Sequence, residues 1–257
     1  MAEAGFVAPD AEADALSAAS IDGSRPLDEL LARRLSGEPL AWITGSVDFC
    51  GLRVHVDHGV FVPRPHTQAM ARRAAALLPA TGIAVDLCTG SGAVAAVLGS
   101  ACPHATVLAT DIDPLAVACA RRNGVHALIG DLDEPLPPSL RGQVDVVTSV
   151  VPYVPTDELS FLPRDVVAYE PRRALDGGPD GTTVLVRAAD AAARCLKPGG
   201  SVLLELGGDQ PEEMSRSLTV VGFSEIRVLQ DDEGHARAIE ARRPIVTEGS
   251  GDPGSSA

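Results

Sequence analysis

The run Val85-Asp86-Leu87-Cys88-Thr89-Gly90-Ser91-Gly92 joins an apolar segment to a stretch of helix formers, Ala93 to Leu98, through a turn of small residues. Strand, turn and helix in that order place the backbone amides of Gly90 to Ala93 at a helix N-terminus, which favours a polar or anionic ligand. The glycines let such a ligand approach the main chain closely. Asp111 ends the next apolar run, at the spacing where a carboxylate can accept hydrogen bonds from both hydroxyls of a ribose. Turn and acid together predict a nucleotide-cofactor cradle.

Gly90-Ser91-Gly92-Ala93-Val94-Ala95 also satisfies the relaxed dinucleotide pattern GxGxxA, so the glycines alone do not separate a nicotinamide dinucleotide from S-adenosylmethionine. Two features favour the latter. Asp86 lies inside the strand just before the turn, where it can bind an amino group directly or through water, and Gly130-Asp131-Leu132 follows the third strand, where an adenine would lie. Cys88 and Thr89 in the turn and Ile112 after Asp111 complete the expected contacts. Asp113, followed by Pro114, reads as a helix N-cap and not as a ligand.

The elements that must position these residues alternate. Strands are expected at 83–87, 106–111, 126–130, 144–150, 201–207, 223–229 and 236–242, with helices near 68–78, 93–99, 114–123, 182–196 and 210–220. Such alternation implies a doubly wound parallel α/β sheet. Only the polar turn Gln230 to His235 separates the last two strands, too little for a crossover, so they should pair antiparallel at one edge of a seven-strand sheet. Residues 9–40 carry helical patterning and form a small N-terminal helical cap, assigned to 1–46. The alternating, glycine-punctuated stretch 49–62 reads as a β-hairpin within a linker at 47–67. The cofactor-binding domain then covers 68–246, and the Gly, Ser and Pro-rich residues 247–257 form a disordered tail.

The chain's 257 residues carry a formal charge of −14, which argues against nucleic acid, since phosphate neutralisation needs clustered Lys and Arg. The first residues lack the pattern of an export signal, and no apolar run is long enough to span a membrane, so a cytoplasmic protein without a membrane partner is expected. Cys50, Cys88, Cys102, Cys119 and Cys195 show no ligand spacing, so buried free thiols are expected in place of a metal site.

Segments outside the cradle resemble the HemK/PrmC family of adenosylmethionine-dependent protein glutamine methyltransferases, over roughly residues 25 to 242 and in the same order. Val60-Phe61-Val62-Pro63-Arg64-Pro65-His66-Thr67-Gln68 is similar to that family's IPRPETE segment, and Asp86 to Gly92 to its DLGTGSG turn. Glu170-Pro171-Arg172-Arg173-Ala174-Leu175-Asp176-Gly177-Gly178, Lys197-Pro198-Gly199-Gly200 and Leu204-Glu205-Leu206-Gly207 also match. The resemblance implies a Rossmann-like class I methyltransferase fold, S-adenosylmethionine as methyl donor, and Phe61 and Pro63 as residues that pack against it and exclude water.

Where the family carries Asn-Pro-Pro-Tyr, this chain has Val150-Val151-Pro152-Tyr153, the expected catalytic loop. The family's Asn carbonyl and the next backbone carbonyl accept both N–H groups of the substrate amide. Val150 offers no such acceptor, while the Val151 carbonyl can take one hydrogen bond and Tyr153 can pack a planar group. Thr148 and Ser149 are candidates to replace the lost group in part, and His66, standing where the family has an acid, is a candidate base. The loss favours an altered acceptor, a small-molecule amine, hydroxyl or carboxylate. The alternatives are the family's own glutamine-bearing protein, such as a release factor, and a catalytically silent cofactor-binding module.

Overall fold

The computed structural model describes residues 8–22 and 25–245; the tail expected at 247–257 lies outside them. Helices α1 (Pro9–Asp22), α2 (Leu27–Leu35) and α3 (Leu40–Thr44) bury Leu16, Leu30 and Ile43 against one another. α2 opens with Asp28 and Glu29 and closes with Arg33 and Arg34, the charge order its dipole favours.

A hairpin of β1 (Ser46–Phe49) and β2 (Leu52–His55) follows, with Phe49 opposite Leu52. It is shorter and earlier than the expected 49–62. The turn falls at Cys50-Gly51, where both φ angles are positive (52° and 81°), as a two-residue hairpin turn requires. The ladder ends at His55, with one further bond from the Val56 N–H to the Gly45 carbonyl at 3.0 Å; the chain then turns at Asp57–Val60 and runs outside any strand to Pro65, where Pro63 and Pro65 have no N–H to offer a ladder. Trp42 Nε1 donates to the Val60 carbonyl at 2.9 Å and fastens this run to the cap.

The remainder is α4 (Thr67–Leu77), β3 (Ile83–Leu87), α5 (Ala93–Ala101), β4 (Thr106–Asp111), α6 (Pro114–Arg122), β5 (His126–Ile129), β6 (Val144–Ser149), α7 (Arg164–Tyr169), α8 (Thr183–Cys195), β7 (Leu196–Glu205), α9 (Gln210–Val221), β8 (Ser224–Gln230) and β9 (Ala236–Arg242). The sheet order is β5-β4-β3-β6-β7-β9-β8, with β7, β9 and β8 joined antiparallel and the others parallel. This is the expected seven-strand Rossmann-like sheet with its antiparallel edge. β6 is buried along its whole length, which its apolar run allows because helices cover both faces. One face packs on α8 and α9 through Leu185, Ala188, Met214 and Leu218, and the other on α4 and α5 through Met70, Ala74, Val94 and Leu98.

Two elements differ from expectation. β7 begins at Leu196 and not at 201, because Gly199 and Gly200 exchange backbone hydrogen bonds with Arg243 and carry the pairing through a turn at Gly199, whose φ is 81°. α7, with the loop before it, carries no periodicity long enough to predict. The cysteines also differ: Cys119 and Cys195 are buried, but Cys50, Cys88 and Cys102 are only half-buried. The chain leaves β3 toward β4 on one side and returns to β6 on the other, so a crevice opens at the carboxyl ends of β3 and β6.

Candidate active site

A cavity of about 560 Å³ occupies that crevice, a size suited to a nucleotide-like ligand. Of the expected cofactor contacts, Phe61, Pro63, Asp86, Cys88, Thr89, Gly90, Asp111, Ile112, Asp131 and Leu132 line it, whereas Gly92 and Gly130 are not among its walls. Both glycines answer to packing. A Cβ on Gly92, at φ 81°, would sit 3.0 Å from Ala120 Cβ and Val125 Cγ2, and one on Gly130 would sit 2.8 Å from Pro135 Cγ. Gly92→Ala is expected to cost about 2 kcal/mol of stability in urea unfolding, from left-handed backbone strain and crowding against α6.

The turn is also less open than its sequence implies. Gly90 donates its N–H to Asp111 Oδ2 at 2.8 Å and Gly92 donates to the Thr89 carbonyl at 2.8 Å, so two of the amides expected to face a ligand are already bonded. Asp111 Oδ1 accepts from the Asp113 amide at 2.9 Å. Burial raises the Asp111 carboxyl above its ordinary pKa, opposed by those two amides. Asp113 caps α6 by accepting from Leu115 N at 3.0 Å, as expected.

Asp86 is 1% exposed and accepts from Thr89 Oγ1 at 2.6 Å and Thr148 Oγ1 at 2.7 Å. Burial pushes its carboxyl up to about 6 against the pull of those hydroxyls. Thr148 is thereby committed to Asp86, and Ser149 Oγ donates to the Leu87 carbonyl at 2.8 Å. Neither hydroxyl is available to replace the lost Asn, which corrects their candidacy: both lie buried in the sheet. Two groups that sequence reasoning passed over are Ser91 and Thr67, which line the cavity with buried hydroxyls lacking any partner among the described residues. Orphaned buried hydroxyls at a cavity wall fit a polar ligand there. Ser91 sits inside the recognised turn, so its position gave a signal; Thr67 gave none.

The expected catalytic loop splits between two spaces. Val150 and Pro152 line the cofactor cavity, while Val151 and Tyr153 line a second cavity of about 550 Å³. Phe61 and Ala174 border both. The loop is held from behind, since Gln210 Nε2 donates to the Tyr153 carbonyl at 2.7 Å and a Cβ on Gly177 would come within 2.8 Å of the Pro152 carbonyl and Tyr153 Cα. Burial and the neighbouring Glu205 carboxylate push the Tyr153 phenol up. Arg64 lies 4.6 Å above the Phe61 ring and pairs with the buried Glu170 at 2.7 Å, so the partition is fixed by a charge that burial alone would not tolerate unpaired. His66, the candidate base, is half-buried in the second cavity with Nε2 3.3 Å from Glu205 Oε1.

Residues 51–129 match the methyltransferase small domain. The chain is 36% identical over 219 residues to a release factor glutamine methyltransferase of Geobacter sulfurreducens, covering 83% of this chain and 76% of that protein. It is 34% identical to the protein of that name from Mycolicibacterium smegmatis, covering 95% and 94%, and 35% identical to that of Mycobacterium tuberculosis, covering 95% and 88%. Among solved structures, a Pyrococcus furiosus methyltransferase superposes with a TM-score of 0.55 at 20% identity, over 76% of this chain and 90% of its own. A ribosomal protein L11 methylase from Lactobacillus delbrueckii gives 0.51 at 16%, over 74% and 85%. These structures share the fold. Among the described residues, no helix is long and apolar enough to cross a membrane.

Proposed function

The chain belongs to the release factor glutamine methyltransferase family and is an S-adenosylmethionine-dependent methyltransferase, and on that premise we propose that its acceptor is the side-chain amide of a glutamine in a protein of the release-factor kind. The relatives favour this acceptor over the small molecule suggested by Val150. The observation that carries the reading is the partition: the loop Val150 to Tyr153 and Phe61 stand between an acid-rich cavity and a second cavity wide enough for a side chain.

S-Adenosylmethionine, when bound, supplies a methyl group made electrophilic by a sulfonium. Asp111 would accept from the ribose hydroxyls, and Asp86 would meet the ammonium. Ile112, Asp131 and Leu132 would flank the adenine, while Cys88, Thr89 and Gly90 would form the floor. Phe61 and Pro63 would exclude water from the reacting carbon. Val151 offers its carbonyl to one amide N–H, and Tyr153 packs the amide plane, so the residues chiefly supply alignment. Five carboxylates line the cavity, and Asp113, Asp131 and Asp176 lie against Arg173, Arg187 and Arg172, which leaves Asp86 and Asp111, with the orphaned hydroxyls, to fit a ligand that carries an ammonium and a diol.

The test is incubation of the full chain with methyl-labelled cofactor, a Gly-Gly-Gln release-factor peptide and, separately, a metabolite extract, read by mass spectrometry. Label on the peptide glutamine supports the reading; label only on a small molecule restores the altered acceptor, and binding without label points to a silent module.

The Asp86 assignment has a pH signature. Only the ionised carboxylate attracts an ammonium, and a carboxyl titrating at about 6 is mostly protonated at lower pH. Cofactor affinity by calorimetry is therefore expected to fall by about tenfold from pH 7 to pH 5, and Asp86→Asn is expected to flatten that dependence.

A further inference from the structure

Behind the second cavity stands a carboxylate that the cofactor contacts leave unused. Glu205 closes β7 with its side chain 1% exposed; its Oε2 has no partner within hydrogen-bond distance among the described residues, and the Tyr153 phenol is set against the same carboxylate. A buried carboxylate oxygen without a donor is costly and uncommon unless the site uses it. Its Oε1 faces His66 Nε2 at 3.3 Å. His66 sits just before α4, keeps 29% of its side chain exposed, and shares the walls of the second cavity with Phe61, Val151 and Tyr153. Its Nδ1 has no hydrogen-bond partner among the described residues.

The other charged groups around this cavity are engaged or unsuited to take a proton. Arg64 pairs with Glu170 at 2.7 Å, and Arg34 pairs with Glu12 at 2.6 Å and lies 3.8 Å from Asp165. Arg237, which acts on the Tyr153 phenol from β9, pairs with Asp231 at 2.7 Å. Guanidinium groups stay protonated. The Tyr153 phenol, pushed up by burial and by Glu205, keeps its own proton.

We propose that His66 is the proton acceptor for the methylated amide and that Glu205 is the residue that positions it, a role separate from the amide-orienting one of the lost Asn. The proposal rests on the glutamine reading above. The amide nitrogen forms its bond to the methyl carbon as the carbon–sulfur bond breaks, with that electron pair leaving on sulfur. The nitrogen then carries one proton too many, and His66 Nδ1 takes it. Glu205 Oε1 faces the Nε2–H of the imidazolium so formed, and the proton passes to solvent from the exposed part of the ring.

The test compares the full-length parent with His66→Gln, Glu205→Gln and His66→Ala on the Gly-Gly-Gln peptide. His66→Gln is expected to lower kcat by about 10²-fold, with peptide KM and calorimetric cofactor affinity within about twofold of the parent, and Glu205→Gln to lower kcat by about tenfold. Added imidazole is expected to restore turnover to His66→Ala. A readout independent of turnover is modification of His66 by diethyl pyrocarbonate, which the peptide should block in mass spectrometry. A parent that methylates the peptide while His66→Gln keeps its kcat overturns the dyad alone. A kcat loss accompanied by lost cofactor affinity, without imidazole rescue, makes His66 a structural residue and overturns it too. A parent that leaves the peptide unlabelled overturns the glutamine reading, and the dyad with it.

Discussion

Replacing Asp111 by Ala is expected to weaken S-adenosylmethionine binding by about 10³-fold in calorimetric titration, since two charge-assisted hydrogen bonds to ribose hydroxyls contribute about 1.5–3 kcal/mol each. The loss has a second source inside the protein. The same carboxylate accepts the Gly90 and Asp113 amides, so it fixes the turn that forms the cavity floor as well as the ligand. Asp111→Asn separates the two contributions: it keeps an acceptor oxygen for one amide and removes the charge, and should fall between parent and Ala. Unchanged binding in the Ala variant would sink the ribose assignment.

Val150→Asn should raise turnover on the Gly-Gly-Gln peptide by about 10²–10³-fold, the usual scale for one positioned polar partner of a reacting group. Val150 lines the cofactor cavity beside Pro152, and its side chain is half-buried, so the new amide would have both room and exposure to the reacting centre. Cofactor affinity should hold, because the gain lies on the acceptor side. Equal rates for parent and variant would mean that another group already does the Asn's work.

Local chemistry made much of this legible. Asp113 with Pro114 announced a cap, the Gln230 to His235 turn announced an antiparallel edge, and the apolar runs of β3 and β4 and the apolar–charged alternation of β9 marked their own limits. What the chain concealed was tertiary. Gly92 looks like a ligand-approach glycine, but the residues that require it, Ala120 and Val125, belong to α6 and the loop after it. Thr148 and Ser149 look free in sequence, yet the neighbouring strand β3 consumes both hydroxyls through Asp86 and the Leu87 carbonyl. Glu205 could be read only as one letter of a matched segment, because its meeting with His66 spans the sheet from β7 to the start of α4. The hairpin was misplaced because alternation continues beyond His55 after partner residues have run out.

One side chain, Phe61, bounds both cavities. A ligand that shifts this ring on one side reshapes the space on the other, so donor and acceptor affinities become linked. Reciprocity then fixes the sign: if bound donor tightens acceptor binding by some factor, bound acceptor tightens donor binding by the same factor. Titrating each in the presence of the other would measure that factor, and a Phe61→Ala variant should bring it toward one.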